Sequence, residues 1–214
     1  MKLMSFLVLL PAVLGALSCK NENNPPENPF LNNPDHKYEI VRINTDFGAM
    51  RLWLSFQTPL HRENFLKLVT EGFYTGLTFH RIINDFVVQG GDPNGDGTGG
   101  PGYVIPAELE TKLRHRFGAV AAARLGDAIN PRRRSSGSQF YIVENRNGTP
   151  NLNGAYTVFG QLVEGYDVLE LLGSTPIYPS TDIPLRPVYM RTVTIEFYTR
   201  AELLEQFEFD IQDY

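Results

Sequence analysis

The chain has 214 residues, enough for one domain with a sizeable core and too few for two of ordinary size. With 42% hydrophobic and 20% charged residues it has the composition of a folded protein, and its net charge of −5 argues against general affinity for nucleic acid. A single cysteine, Cys19, excludes an internal disulfide framework and a Cys-rich zinc site.

Residues 1–18 read as an export signal: Lys2 supplies the positive start, and Leu3–Leu17 is apolar but interrupted by Pro11 and Gly15. That stretch is shorter than the roughly 20 residues a membrane span needs. Ala16-Leu17-Ser18-Cys19 resembles a bacterial lipobox, in which the cysteine becomes the lipidated first residue of the mature chain. An ordinary secretory signal with an incidental cysteine is the alternative. The lipobox implies a protein of the bacterial cell envelope, held on a membrane through Cys19 and facing the periplasm or the surface. Residues 19–37 then form the lipidated cysteine and a tether. Lys20–Lys37 holds six Asn and four Pro, with only Phe30 and Leu31 apolar, too little to offset its ordering entropy.

From Tyr38 the composition is that of a packed domain, expected over 38–198. Ile40–Ile43 and Ala49–Leu54 are predicted strands joined by a turn at Thr45–Gly48, with Met50, Leu52 and Leu54 alternating against Arg51 and Trp53. Thr58-Pro59 predicts a helix start with Thr58 as cap, Phe65, Leu68 and Val69 its apolar face, and Gly72 its stop. Further strands are expected at Thr78–Ile83, Phe86–Gln89, Ala119–Ala122, Gln139–Val143, Val158–Leu162 and Val188–Tyr198, with a second helix over Tyr166–Leu172. Many short strands and two helices point to a closed or nearly closed β-structure. Residues 199–214 are an acidic tail, frayed or folded into a short docked helix.

Two glycine-rich matches carry no chemistry. Gly95–Gly100 fits G-x-G-x-x-G, but Pro101-Gly102 prevents the helix that a dinucleotide site must open. Asp92–Gly97 matches half a calcium loop, yet Tyr103 stands where the bidentate Glu belongs, and Asx-turns explain the same residues. No metal site is expected. The four His have no metal-ligand spacing, and no G-x-S-x-G occurs, so hydrolase chemistry lacks its parts. Arg132-Arg133-Arg134 reads as a solvated basic loop, or as a contact for acidic clients.

The informative stretch is Phe79–Asp92, which sets Arg81 in an apolar strand ahead of Phe86, Val87 and Gln89. Such a guanidinium needs a core carboxylate or a ligand, and spacing leaves both open. The stretch resembles the cyclophilin-type peptidyl-prolyl cis-trans isomerase signature F-H-R-[IV]-I-x-x-F-x-x-Q-G-G-D. The resemblance continues in order through Gly97–Gly100, Gly118–Arg124, Ser136–Tyr141, Leu152–Gly154 and Val158–Gly160. It implies a mainly β fold, a closed eight-stranded antiparallel barrel capped by two helices. It also implies a monomeric enzyme without a cofactor that accelerates X-Pro rotation in unfolded or exported polypeptides; the alternative is a proline-segment binding or chaperone module with little turnover. By the same resemblance Arg81, Phe86 and Gln89 are catalytic, and Phe86, Val87, Tyr141 and Leu152 wall the proline pocket. Ala123 and Arg124 would pair with substrate backbone, and Gln139 and Tyr156 would line neighbouring subsites. Val87, Arg124, Tyr141, Asn151 and Tyr156 stand where better-known members carry Met, Asn, Phe, Trp and His.

Overall fold

A computed structural model describes residues 27–109 and 111–214; the export signal, Cys19 and the start of the expected tether lie outside the described residues. In chain order the strands are β1 (Lys37–Thr45), β2 (Gly48–Leu54), β3 (Arg81–Ile83), β4 (Val87–Gly90), β5 (Val104–Ile105), β6 (Ala119–Ala122), β7 (Ser135–Ser136), β8 (Phe140–Val143), β9 (Val158–Glu164), β10 (Ile177–Tyr178), β11 (Ile183–Pro184) and β12 (Met190–Thr199). The helices are α1 (Pro59–Thr70), α2 (Tyr166–Gly173) and α3 (Arg200–Phe207), with a 3-10 turn at Pro150–Leu152 and another at Ile211–Asp213.

Eight strands form one curled antiparallel sheet in the order β12-β1-β2-β9-β6-β8-β4-β3. The closed barrel expected from sequence is not completed by a strand ladder. Thr78, expected inside a strand, makes only an isolated bridge to Tyr189, flanked by Phe79 N–H to Val188 O at 2.9 Å and Met190 N–H to Leu77 O at 2.8 Å. Three helices, not two, pack on the sheet, since the C-terminal tail forms α3, started by a Thr199–Glu202 capping box.

Alternation along the strands sorts side chains to the two faces. Met50, Leu52, Leu54, Val88, Val120 and Ile142 point inward and pack with Phe65, Leu68 and Leu169 from α1 and α2. α1 starts at Pro59 with Thr58 in the N-cap position, as expected, but the Thr58 hydroxyl makes no cap bond; the Glu108 carboxylate instead accepts from Leu60 N–H and His61 N–H, each at 3.1 Å. Glu108 also meets His61 Nδ1 at 2.6 Å, and His61 Nε2 meets Ser135 Oγ at 2.8 Å. This Ser-His-Glu array braces α1; Ser135 is 1% exposed, which leaves no room for a substrate.

The outer face carries two further clusters. Tyr38, Ile40, Trp53 and Val163 on β1, β2 and β9 are covered by Leu203, Phe209 and Ile211 from the C-terminal extension. Leu31 and Phe56 join them, and Phe30 stacks on His36 at 3.8 Å. Residues 27–36 are therefore folded onto the domain rather than serving as tether, because Phe30 and Leu31 find an apolar surface that local composition does not report.

Candidate active site

The second outer cluster lies on β4, β8, β6 and β9: Val87, Ala119, Ala121, Tyr141, Val143 and Val158, with Phe86, Leu113, Leu152 and Tyr156 packed against it. Strand register explains how the expected residues meet. Arg81 pairs with Gln89, Gln89 with Tyr141, and Tyr141 with Ala121, so the four share one rung across β3, β4, β8 and β6. Directly opposed residues point to the same face, and the rung sets a guanidinium and an amide beside an apolar floor.

Arg81 is half-exposed. Its Nη2 lies 3.2 Å from Asp182 Oδ2, and its Nη1 donates to Gln89 Oε1 at 3.5 Å. Gln89 Nε2 donates to Gln139 Oε1 at 3.1 Å, and Gln139 Nε2 donates to the carbonyls of Gly97 and Gly99 at 3.0 and 2.8 Å. Each amide thus has its orientation fixed by the next, and the chain ends on the loop after β4. That loop is wound around Asp92, 1% exposed, whose carboxylate accepts from the N–H groups of Asn94, Asp96 and Gly97. It leaves β4 through Gly91 (φ +83°), where a Cβ would meet Ser138 O at 2.3 Å.

Asp182 is the residue sequence reading missed. It sits between β10 and β11, with its carbonyl accepting from Ile82 N–H at 2.8 Å and its N–H donating to Tyr178 O at 3.0 Å. It answers both readings of Arg81: the guanidinium has a carboxylate partner, but at the surface, leaving its other edge open. Only the turn-forming run Ser180-Thr181-Asp182 hinted at a tight bend there.

The remaining walls are locked from behind. The Tyr141 hydroxyl meets His115 Nε2 at 2.9 Å, and His115 Nδ1 meets Asn153 Oδ1 at 2.9 Å. Burial lowers the His115 pKa below its ordinary value, against an opposing bond to Asn153, while burial pushes the Tyr141 hydroxyl well up. A neutral imidazole donating from Nδ1 and accepting from Tyr141 satisfies all three groups. Tyr156 meets Tyr141 edge-on at 6.0 Å and lies under the Arg124 guanidinium at 4.4 Å.

Ala123 and Arg124 divide the role expected of both. Ala123 N–H donates to Gln139 O at 3.0 Å and its carbonyl accepts from Ser136 N–H at 2.8 Å, so its backbone is used within the fold. Arg124 turns its side chain inward, Nε donating to Ala155 O at 2.8 Å, while its backbone N–H and carbonyl have no partner among the described residues.

The model of the family "Cyclophilin type peptidyl-prolyl cis-trans isomerase/CLD" matches residues 40–195. The chain belongs to this family. Cyclophilin-type relatives include peptidyl-prolyl cis-trans isomerase CYP18-1 of Arabidopsis thaliana, 36% identical over 160 residues that span 72% of this chain and 94% of the relative. Peptidyl-prolyl cis-trans isomerase B of Bacillus subtilis is 50% identical over 105 residues, 49% of this chain and 68% of the relative. A cyclophilin-type isomerase of Cryptosporidium parvum superposes with a TM-score of 0.68 at 32% identity, covering 75% of this chain and 98% of that one. The same protein has been crystallised in the presence of the dipeptide Ala-Pro, with a TM-score of 0.67 to this chain. The family match spans residues 40–195, so residues 27–36 and α3 lie outside it.

Proposed function

We propose that this chain isomerises X-Pro bonds in exported polypeptides, without covalent chemistry or a cofactor, by the following route. The uncatalysed rotation faces a barrier of roughly 18–20 kcal/mol, which at the upper figure gives a rate on the order of 0.01 per second. Raising that to about 1,000 per second requires roughly 7 kcal/mol of barrier lowering. The twisted amide differs from both planar forms in one respect the site can use: its nitrogen lone pair is released from resonance and can accept a hydrogen bond. Arg81 donates to that nitrogen while the proline ring lies on Phe86, Val87, Tyr141 and Leu152. The interaction exists only in the transition state, as differential stabilisation demands. Gln89 contacts substrate backbone and steadies the guanidinium, and Gln139 and Tyr156 line the flanks.

The observation that carries this reading is the rung Arg81–Gln89–Tyr141–Ala121, which sets one open guanidinium edge beside the apolar floor. In the same reading the Thr78–Tyr189 bridge is the seam that closes the barrel and keeps β3 from fraying beneath Arg81. Residues 1–18 are cleaved, and lipid on Cys19 holds the domain at a membrane of the cell envelope. NMR exchange on an Ala-Pro peptide tests the activity. Arg81→Ala should cost two to three decades in kcat/KM, the usual loss of one transition-state donor; binding by the wild type without acceleration would refute the isomerase. Cys19→Ser should release the protein from membranes, and unchanged association would refute the anchor.

A further inference from the structure

Beyond Arg124 the chain runs into a loop whose surface nothing in the isomerase chemistry uses. Leu125 is 63% and Ile129 73% exposed, more than any other large apolar side chain among the described residues. Single exposed apolar residues are common, but these two stand on a rigid support. Asn130, buried, donates from Nδ2 to Arg134 O at 2.8 Å and accepts at Oδ1 from Arg134 N–H at 3.0 Å, while its own N–H reaches Gly126 O at 3.0 Å. Arg133 donates to Gly154 O at 3.0 Å, which fastens the loop to the segment carrying Tyr156.

Charge on the loop is unevenly spent. Asp127 pairs through Oδ1 with Arg124 at 2.6 Å and through Oδ2 with Arg133 at 3.1 Å, so the only carboxylate of the loop is fully used. Arg132 and Arg134 are exposed and have no carboxylate within 4.0 Å among the described residues. In a chain of net charge −5 this is a local positive exception, on the same loop as the two exposed apolar side chains. It directly follows Arg124, whose unpaired N–H and carbonyl offer a strand edge to a peptide.

We propose that Leu125, Ile129, Arg132 and Arg134 form an accessory subsite that selects client segments with an acidic residue next to an apolar one. Such a segment would flank the isomerised proline on the side that pairs with Arg124. The proposal rests on the isomerase reading above. A client carboxylate supplies the partner that Asp127 cannot give Arg132 and Arg134, and an aliphatic side chain covers Leu125 and Ile129. The ion pairs are solvated, so each is weak and screened by salt, whereas the apolar contact is not.

Two peptides sharing an Ala-Pro core test it, one carrying Glu-Leu before the core and one Lys-Ser, followed by NMR exchange at low and high salt. The Glu-Leu peptide should show a kcat/KM about three- to tenfold higher, through KM, as expected of one or two exposed pairs. The preference should shrink at high salt, and also in the double variant Arg132→Gln/Arg134→Gln, to the part that the apolar contact carries. That variant should keep the wild-type rate on an unflanked Ala-Pro peptide. Equal KM values for the two peptides in the wild type, or a preference that is undiminished in the double variant, would overturn the subsite. Co-sedimentation with phosphatidylglycerol vesicles that is lost in the double variant, with no peptide preference, would make the loop a membrane contact instead. Failure of the isomerase reading is separately visible: neither peptide would be accelerated, while calorimetry would still report whether Glu-Leu binds more tightly.

Discussion

Replacing Asp182 tests how Arg81 is held. The carboxylate is 3.2 Å from Nη2 with side-chain exposures of 41% and 31%, whereas the Gln89 contact is at the 3.5 Å limit of a hydrogen bond. Asp182 is therefore the main restraint on the guanidinium. A pair this exposed contributes about 0–1 kcal/mol, and a free Arg side chain carries about 2 kcal/mol of rotamer entropy, only part of which one partner removes. Losing the carboxylate should raise the barrier by up to about 1 kcal/mol, a fall in kcat of up to about fivefold. The backbone complicates the choice of variant, because Asp182 has φ +59°, which Asn tolerates and Ala does not. Asp182→Asn keeps the turn and an acceptor, so it should lose about twofold in kcat with an unchanged melting temperature. Asp182→Ala should lose the full amount and melt lower through strain. Measured by NMR exchange on the Ala-Pro peptide, kcat should fall in the order wild type, Asn, Ala, with KM nearly constant. Added salt should slow the wild type and leave Asp182→Ala unaffected. A faster Ala variant would refute the reasoning, because the carboxylate would then be weakening the guanidinium rather than aiming it.

Tyr141→Phe keeps the ring that walls the pocket and removes the bond to His115. It should stay within about twofold of wild-type activity and lose about 0.5–1.5 kcal/mol of stability in urea unfolding. His115 is neutral in the fold with a lowered pKa, so its contribution is complete above the unfolded value of about 6.5 and is lost as pH falls below it; a stability-versus-pH series should decline from there, more steeply in the wild type than in His115→Gln. Arg200 holds the Asp210 carboxyl below its usual range through bonds of 2.9 and 2.8 Å, a contribution present above pH about 4 and lost as pH falls through the lowered value. Emission from Trp53, the only tryptophan, should shift to the red as the extension detaches in acid, and at a higher pH in Asp210→Asn; an unchanged midpoint would count against the Arg200 clamp.

The strands were legible where alternation or continuous burial constrained them. Ala119–Ala122 coincides with β6, and the Met50, Leu52, Leu54 series points inward as read. The site was legible for a related reason: Arg81 and Gln89 lie within one signature and Tyr141 within a second matching stretch, and antiparallel pairing of short strands aligns the three. What escaped involves partners distant in sequence. Asp182 is far from Arg81 along the chain, and its carboxylate resembles any other turn aspartate until the hairpin is docked. Glu108 supplies the side-chain acceptor at the start of α1 in place of the Thr58 hydroxyl in the same way. A local pattern reports which face a residue takes, but not which remote group arrives opposite it.

The fate of residues 27–36 follows from the same distinction. Judged alone, the segment has two apolar side chains and no means of burying them. The C-terminal extension changes that balance by bringing Leu203, Phe209 and Ile211 over Trp53, each worth about 1.5–3 kcal/mol when fully buried. Leu31 and Phe56 then complete a surface that neither terminus could form unaided. Both extensions lie on β1, β2 and β9, whereas Arg81 lies on β3 and the apolar floor on β4, β8 and β6, reaching β9 only through Val158. Among the described residues, neither residues 27–36 nor the C-terminal extension packs against Phe86, Val87 and Tyr141.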